Sequence, residues 1–147
     1  DIALTLEYME TMGIPVVTCG QDEFPSFYSR KSGLLSPLRL DTPKEIAALL
    51  KTKWAAGLNG SVLIANPVPA NEEVPADIME QHIQQALDAA AKENIKGKRL
   101  TPFLLKYIAT HTKGESLQAN IALVISNASL AAKIAVAYSS LSPGGME

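Results

Sequence analysis

The chain has 147 residues, 47% of them hydrophobic, and its 13 basic and 15 acidic side chains leave a formal charge of −2. That length suits one domain or part of a larger one, and the charge balance excludes a dominant cationic nucleic-acid footprint. No uninterrupted apolar run approaches the roughly 20 residues of a bilayer span, no N-terminal leader pattern is visible, and the single cysteine, Cys19, forbids an intrachain disulfide.

From these numbers neither nucleic acid nor membrane is expected as a partner. The cysteine usage points to a reduced intracellular setting, cytoplasmic rather than organellar. The chain begins at Asp1 rather than at a methionine, which suggests processing or a piece of a longer protein.

Ile2, Leu6, Met9 and Met12 recur at helical spacing and predict a first helix, with Gly13 placed as its left-handed cap. Ile14-Pro15-Val16-Val17 is short and apolar and predicts a strand, with proline near its start, where a lost N–H is tolerable. A polar loop follows through Asp22, Glu23, Pro25, Phe27–Arg30 and Gly33, then a short strand at Leu38–Leu40. Asp41-Thr42-Pro43 opens a helix, because Asp or Thr can accept from orphan N–H groups and proline fits the first helical position. Ile46, Leu49, Leu50 and Trp54 continue it, and Gly57 and Gly60 end it.

Ser61–Ala65 is the clearest buried strand, closed by the rigid turn Asn66-Pro67-Val68-Pro69. An amphipathic helix is predicted from Pro75 to Ile95, with Met79, Ile83, Ala86, Leu87 and Ala90 on one face. Thr101-Pro102 repeats the cap-then-proline signal and opens a helix to Thr110. A last helical region, Ser116–Leu141, carries a predicted interruption near Asn127. The domain is set at 1–140, and 141–147, with Pro143, Gly144 and Gly145, is read as a tail or linker. Helices alternating with short apolar strands give an α/β class, a layered sheet with packed helices. The few strands suit a partial sheet, whose open edge and apolar surface should promote self-association.

No strong chemical motif is present: no phosphate-binding glycine loop with its lysine, no paired-histidine metal signature, no cysteine cluster and no G-x-S-x-G elbow. His82 reads as a packing or surface histidine, His111 as a cation suited to a helix end, and Cys19 as a small core residue. Glu72 and Glu73 precede a helix, where carboxylates favour the positive end. Two asparagines are more suggestive. Asn66 ends the best strand, where ligands tend to bind in α/β sheets, although an asparagine before proline is also ordinary turn chemistry. Asn120 and Asn127 stand two helical turns apart, flanking the stripe of Leu117, Ile121, Val124 and Ala131. Their amides suit the polar edge of a nucleobase or a neighbouring backbone equally well.

Five runs together, in this order, resemble one family: LTLEYMETMGIPV (Leu4–Val16), DEFPSFYSR (Asp22–Arg30), ANPVP (Ala65–Pro69), TPFLL (Thr101–Leu105) and SLQANIALV (Ser116–Val124). Over about 1–137 the chain resembles the C-terminal half of the pseudouridine-5′-phosphate glycosidases. The resemblance implies the C-terminal part of a larger α/β/α fold. It further implies an enzyme that reversibly cleaves the C–C bond between uracil and ribose 5-phosphate, working with manganese and as a homotrimer. In such enzymes a lysine opens the sugar through an imine-type intermediate, a glutamate donates a proton and an aspartate holds the metal. None of these three has a matching position here, so the resemblance implies no catalytic residue and no metal ligand in this chain. They would come from the N-terminal half of the same enzyme. Asn120, in the Gln-Ala-Asn-Ile-Ala-Leu run, is the position where the family implies contact with the uracil edge; Asn66, in Ala-Asn-Pro, is a second pocket candidate. A non-catalytic nucleobase-binding or assembly module derived from that family is the alternative function.

Overall fold

The structure, a computed structural model, describes residues 1–112 and 114–141. The tail expected at 141–147 lies outside the described residues from position 142 onward. In chain order the elements are α1 (Ile2–Thr11), β1 (Val16–Cys19), β2 (Leu38–Leu40), α2 (Pro43–Ala55), β3 (Leu63–Ala65), α3 (Ala76–Lys92), α4 (Leu100–His111) and α5 (Glu115–Ser140). Single turns of 3-10 helix cover Ala70–Glu72 and Gly97–Arg99.

The three strands form one parallel sheet in the order β2-β1-β3. Val17 pairs with Leu38 on one side and with Ile64 on the other. The central strand is fully enclosed, with Val16, Val17 and Thr18 all buried, as expected when helices and loops cover a parallel sheet. The strand expected at Ile14–Val17 begins two residues later. Pro15 has no N–H to give the ladder, and its carbonyl instead accepts from Leu63 N at 2.9 Å.

Helix α2 starts as its sequence dictates. Thr42 Oγ1 accepts from Glu45 N, and the Glu45 carboxylate accepts from Thr42 N, a reciprocal capping box with Pro43 at the first position. At the other end the buried Lys53 ammonium donates to the carbonyls of Leu58, Asn59 and Gly60. It thereby ties down the turn that leads into β3. Pro102 also falls in the first turn of α4, but that helix begins at Leu100 straight from a 3-10 turn and has no side-chain cap, so Thr101 is not its cap.

Two differences concern helix faces. Only Met79, Ala86 and Ala90 of α3 are buried, while Ile83 and Leu87 stay exposed. And α5 runs unbroken from Glu115 to Ser140. Asn127 does not interrupt it, because its side chain bonds outward to Asn66 rather than to its own backbone.

The core has two parts. Val17, Ile46, Leu50 and Ile134 join the sheet to α2 and α5. Val68, Val74, Met79, Ala86, Ile108, Ala119 and Leu123 join α3, α4 and the first half of α5. Helix α5 is therefore the common beam. With 26 residues, and an 18-residue stretch whose mean hydropathy is 1.7, it is also long and apolar enough, by those measures alone, to cross a membrane. The segment between β1 and β2 is held by carboxylates: Glu23 accepts from the N–H groups of Ser32 and Gly33, and Glu73 accepts from Ser29 Oγ at 2.9 Å and Arg30 N at 2.8 Å.

Candidate functional site at the carboxyl ends of the strands

All three strands point their carboxyl ends the same way, so Cys19, Asp41 and Asn66 arrive at one rim. Helix α5 crosses that rim. Between them lies an open cleft of about 680 Å³, lined also by Glu72, Ser126, Ser129 and Lys133. A parallel sheet places ligands in this location because the chain leaves every strand there through a loop, and loops can carry polar groups. A second, apolar cleft of about 560 Å³ lies alongside, walled by Leu50, Trp54, Ile64, Ile134 and Tyr138. Asn66 and Leu130 line both clefts.

Asn66 is fixed in place. Its Nδ2 donates to Ser126 Oγ and to Asn127 Oδ1, each at 2.9 Å. Both amide hydrogens are thus used across 60 and 61 positions of sequence, while the carbonyl oxygen takes no hydrogen bond among the described residues. The turn chemistry and the pocket reading of Asn66 are therefore compatible: the side chain is a strut with one acceptor left over. Asn120 stands two turns before Asn127, about 10 Å along the axis. It is partly buried and makes no side-chain hydrogen bond among the described residues. The structure joins Asn66 to Asn127 rather than to Asn120, although both helix asparagines lie on one flank of α5.

The remaining sequence candidates take packing roles. Burial, and then the Asp41 and Glu45 carboxylates, push the Cys19 thiol up from its ordinary value, so it is a protonated small side chain at neutral pH. His111 Nδ1 lies 2.7 Å from Tyr107 O and its ring stacks on Tyr107 at 3.9 Å. Glu73 does not serve the positive end of α3; its carboxylate accepts from the distant Ser29 hydroxyl and Arg30 N–H. Glu72 faces the cleft and accepts from Asn71 Nδ2. His82 Nδ1 is buried without a partner among the described residues. No group of three or more His, Cys, Asp or Glu among the described residues could hold a metal ion, so the residues present do not fit a manganese site. Reading the sequence missed Ser126, Ser129, Lys133 and Asp41. Nothing in the spacing of Ser126, Ser129 and Lys133 marks them, since only the crossing of α5 over the sheet brings them to the cleft; the signal for Asp41 is its place directly after β2, as Asn66 directly follows β3.

The chain has solved structural counterparts. It superposes with a TM-score of 0.85 and 30% identity on a prealnumycin C-glycosynthase crystallised with ribulose 5-phosphate, covering 95% of this chain and 46% of that one. An indigoidine synthase A-like protein of Thermotoga maritima gives a TM-score of 0.81 at 36% identity, over 92% of this chain and 44% of the other. Among curated relatives, the pseudouridine-5′-phosphate glycosidase of Deinococcus radiodurans is 54% identical over 141 residues, 96% of this chain and 45% of the relative. That of Geobacillus kaustophilus is 55% identical over 135 residues, 92% of this chain and 45% of the relative. The chain therefore spans less than half the length of the relatives it matches. The family model described as indigoidine synthase A like protein matches residues 1–137, and the chain belongs to that family.

Proposed function

We propose that this chain supplies the pocket wall and scaffold of an enzyme that reversibly cleaves the C–C glycosidic bond of pseudouridine 5′-phosphate, giving uracil and ribose 5-phosphate. The observation that carries the proposal is 54% identity to a pseudouridine-5′-phosphate glycosidase across 96% of this chain, over only 45% of that relative. In this reading the chain corresponds to the C-terminal half. The nucleophilic lysine, the proton-donating carboxyl and the ligands of a manganese ion belong to the N-terminal half. The parent enzyme is a cytoplasmic homotrimer.

The chemistry asks two things of this half. A planar base must be held by its polar edge while its ring carbon is protonated. An amide suits that edge, since it presents a donor and an acceptor side by side. We assign that contact to Asn120, and to Asn66 a supporting place on the pocket wall through its unused carbonyl oxygen. Purified alone, the chain should turn over no pseudouridine 5′-phosphate yet bind uracil weakly in a calorimetric titration. Turnover by residues 1–147 alone would overturn the assignment of the nucleophile to the other half. Uracil binding without turnover in the presence of that half would instead identify a nucleobase-binding module.

A further inference from the structure

We infer that Thr112 is a positioning residue for Asn120: its buried hydroxyl fixes where α5 begins, and with that the direction in which the Asn120 amide is presented to a nucleobase. The inference rests on the functional reading above, which gives Asn120 the uracil edge.

Asn120 is not held by its own side chain, which makes no hydrogen bond among the described residues. The backbone of α5 therefore sets its aim. Asn127, two turns further on, is pinned to Asn66 at 2.9 Å, and that bond fixes the middle of the helix. What fixes the start, on the other side of Asn120, is the corner between α4 and α5.

Thr112 serves both helices at that corner. Its N–H donates to Ile108 O at 2.9 Å and closes α4. Its carbonyl accepts from Glu115 N at 3.0 Å, and its hydroxyl oxygen accepts from Ser116 N at 3.3 Å. Two of the first N–H groups of α5, which a helix leaves without internal partners, are thus satisfied by one residue. Gly114, at the cap position, has no side chain with which to do this; its φ of +90° turns the chain.

The hydroxyls complete the corner. Thr112 Oγ1 lies 2.8 Å from Ile108 O and 2.8 Å from Ser116 Oγ. A carbonyl only accepts, and each hydroxyl carries a single proton. Thr112 therefore donates to Ile108, and Ser116 donates to Thr112. Thr112 and Ser116 are 7% and 1% exposed, so neither hydroxyl has water to turn to, and an unpaired one is costly. The relay from Ile108 through Thr112 to Ser116 is anchored at its first member, because Ile108 sits in the core cluster with Ala119 and Leu123. Asn120 follows Ser116 by about 6 Å along the axis and about 40° round it. A shift of the Ser116 end therefore carries over to the amide, and hydrogen bonds to a base edge weaken steeply as their angles fall.

The test uses this chain co-expressed with the segment of the Deinococcus radiodurans relative that it does not cover, with uracil and ribose 5-phosphate each titrated as inhibitors of turnover. Thr112→Val keeps the shape and removes the acceptor. It should weaken inhibition by uracil about fivefold and leave inhibition by ribose 5-phosphate unchanged. Thr112→Ser, which keeps the hydroxyl, should behave as wild type. In an Asn120→Ala background, Thr112→Val should cost nothing further for uracil, since its effect runs through that amide. Ser116→Ala, a smaller change, should give the same pattern, and it decides the matter if Thr112→Val does not fold. Equal weakening of both inhibitors, or losses that add to that of Asn120→Ala, would mark a general loss of structure and overturn the positioning role while leaving the enzyme reading intact. Unchanged uracil inhibition in both variants would do the same. A wild-type pair that neither turns over substrate nor binds uracil would remove the functional reading, and this inference with it.

Discussion

Asn66 and Asn127 stand 61 positions apart in sequence and 2.9 Å apart in space, Nδ2 to Oδ1, and their bond locks the end of β3 to the middle of α5. The relationship sets the height at which α5 crosses the sheet, and with it the position of the cleft. Replacing Asn66 by Ala removes the bonds to Ser126 and Asn127 together. At about 1 kcal/mol net for each bond, urea denaturation should show a loss of about 1–2 kcal/mol. Asn66→Asp should cost at least as much, since a carboxylate cannot donate to Asn127 Oδ1. An unchanged midpoint for both variants would show that the strut carries no stability.

Lys53 is buried and bonded to three main-chain carbonyls rather than to a carboxylate. Lys53→Met keeps the stem but strands those oxygens. A cost of about 1–3 kcal/mol is expected, and amide exchange should rise in the turn at 57–60. Full retention of both stability and protection would contradict the anchoring role.

The capping box of α2 makes a prediction with pH. Hydrogen bonds from the Thr42 hydroxyl and from the Thr42 and Asp41 N–H groups hold the Glu45 carboxyl below its ordinary value near 4.5. A depressed folded value means that the contribution is present above the unfolded value and is lost as pH falls through the folded one. Glu45→Gln should therefore lower stability near neutrality, and the difference from wild type should shrink in acid below 4.5. Thr42→Ala should cost about 1 kcal/mol. A Glu45→Gln deficit that is the same at pH 3 and pH 7 would show that ionisation plays no part.

For Cys19, a thiol raised by burial and by two nearby carboxylates is a poor nucleophile at neutral pH. Iodoacetamide should label the folded chain at least tenfold more slowly than the chain in 6 M guanidinium. Equal rates would show a reactive, open thiol. Because the folded value is raised for an acid, the stability linked to this proton is lost as pH rises above the unfolded value.

Much of the architecture was legible because it is local. The stripes of α1 and α2, the Thr42-Pro43 opening and the three apolar strands all announce themselves within a dozen residues. The order β2-β1-β3 was not legible, since parallel pairing joins segments that are far apart in sequence and leaves no turn signature. Asn127 looked like a break in its helix because an asparagine can compete for the backbone; the partner that draws its side chain outward lies on another element. Ile83 and Leu87 matched the helical period of α3 yet remain exposed, as a face does when its covering element lies elsewhere. Asn66 was visible as a candidate by its place at a strand end. Ser129 and Lys133 were not, because they become pocket residues only through the angle at which α5 crosses the sheet. The family reading rested on five ordered runs rather than on any chemical motif.

The most direct measurement is uracil release from pseudouridine 5′-phosphate by the co-expressed pair, this chain with the uncovered segment of the Deinococcus radiodurans relative, beside each part alone and beside the pair carrying Asn120→Ala. The account predicts turnover only by the pair, with kcat/KM reduced at least tenfold by Asn120→Ala, about 1.4 kcal/mol or more, and with an unaltered circular dichroism spectrum. Turnover by this chain alone, or a stable pair that neither binds uracil nor releases it, would contradict it.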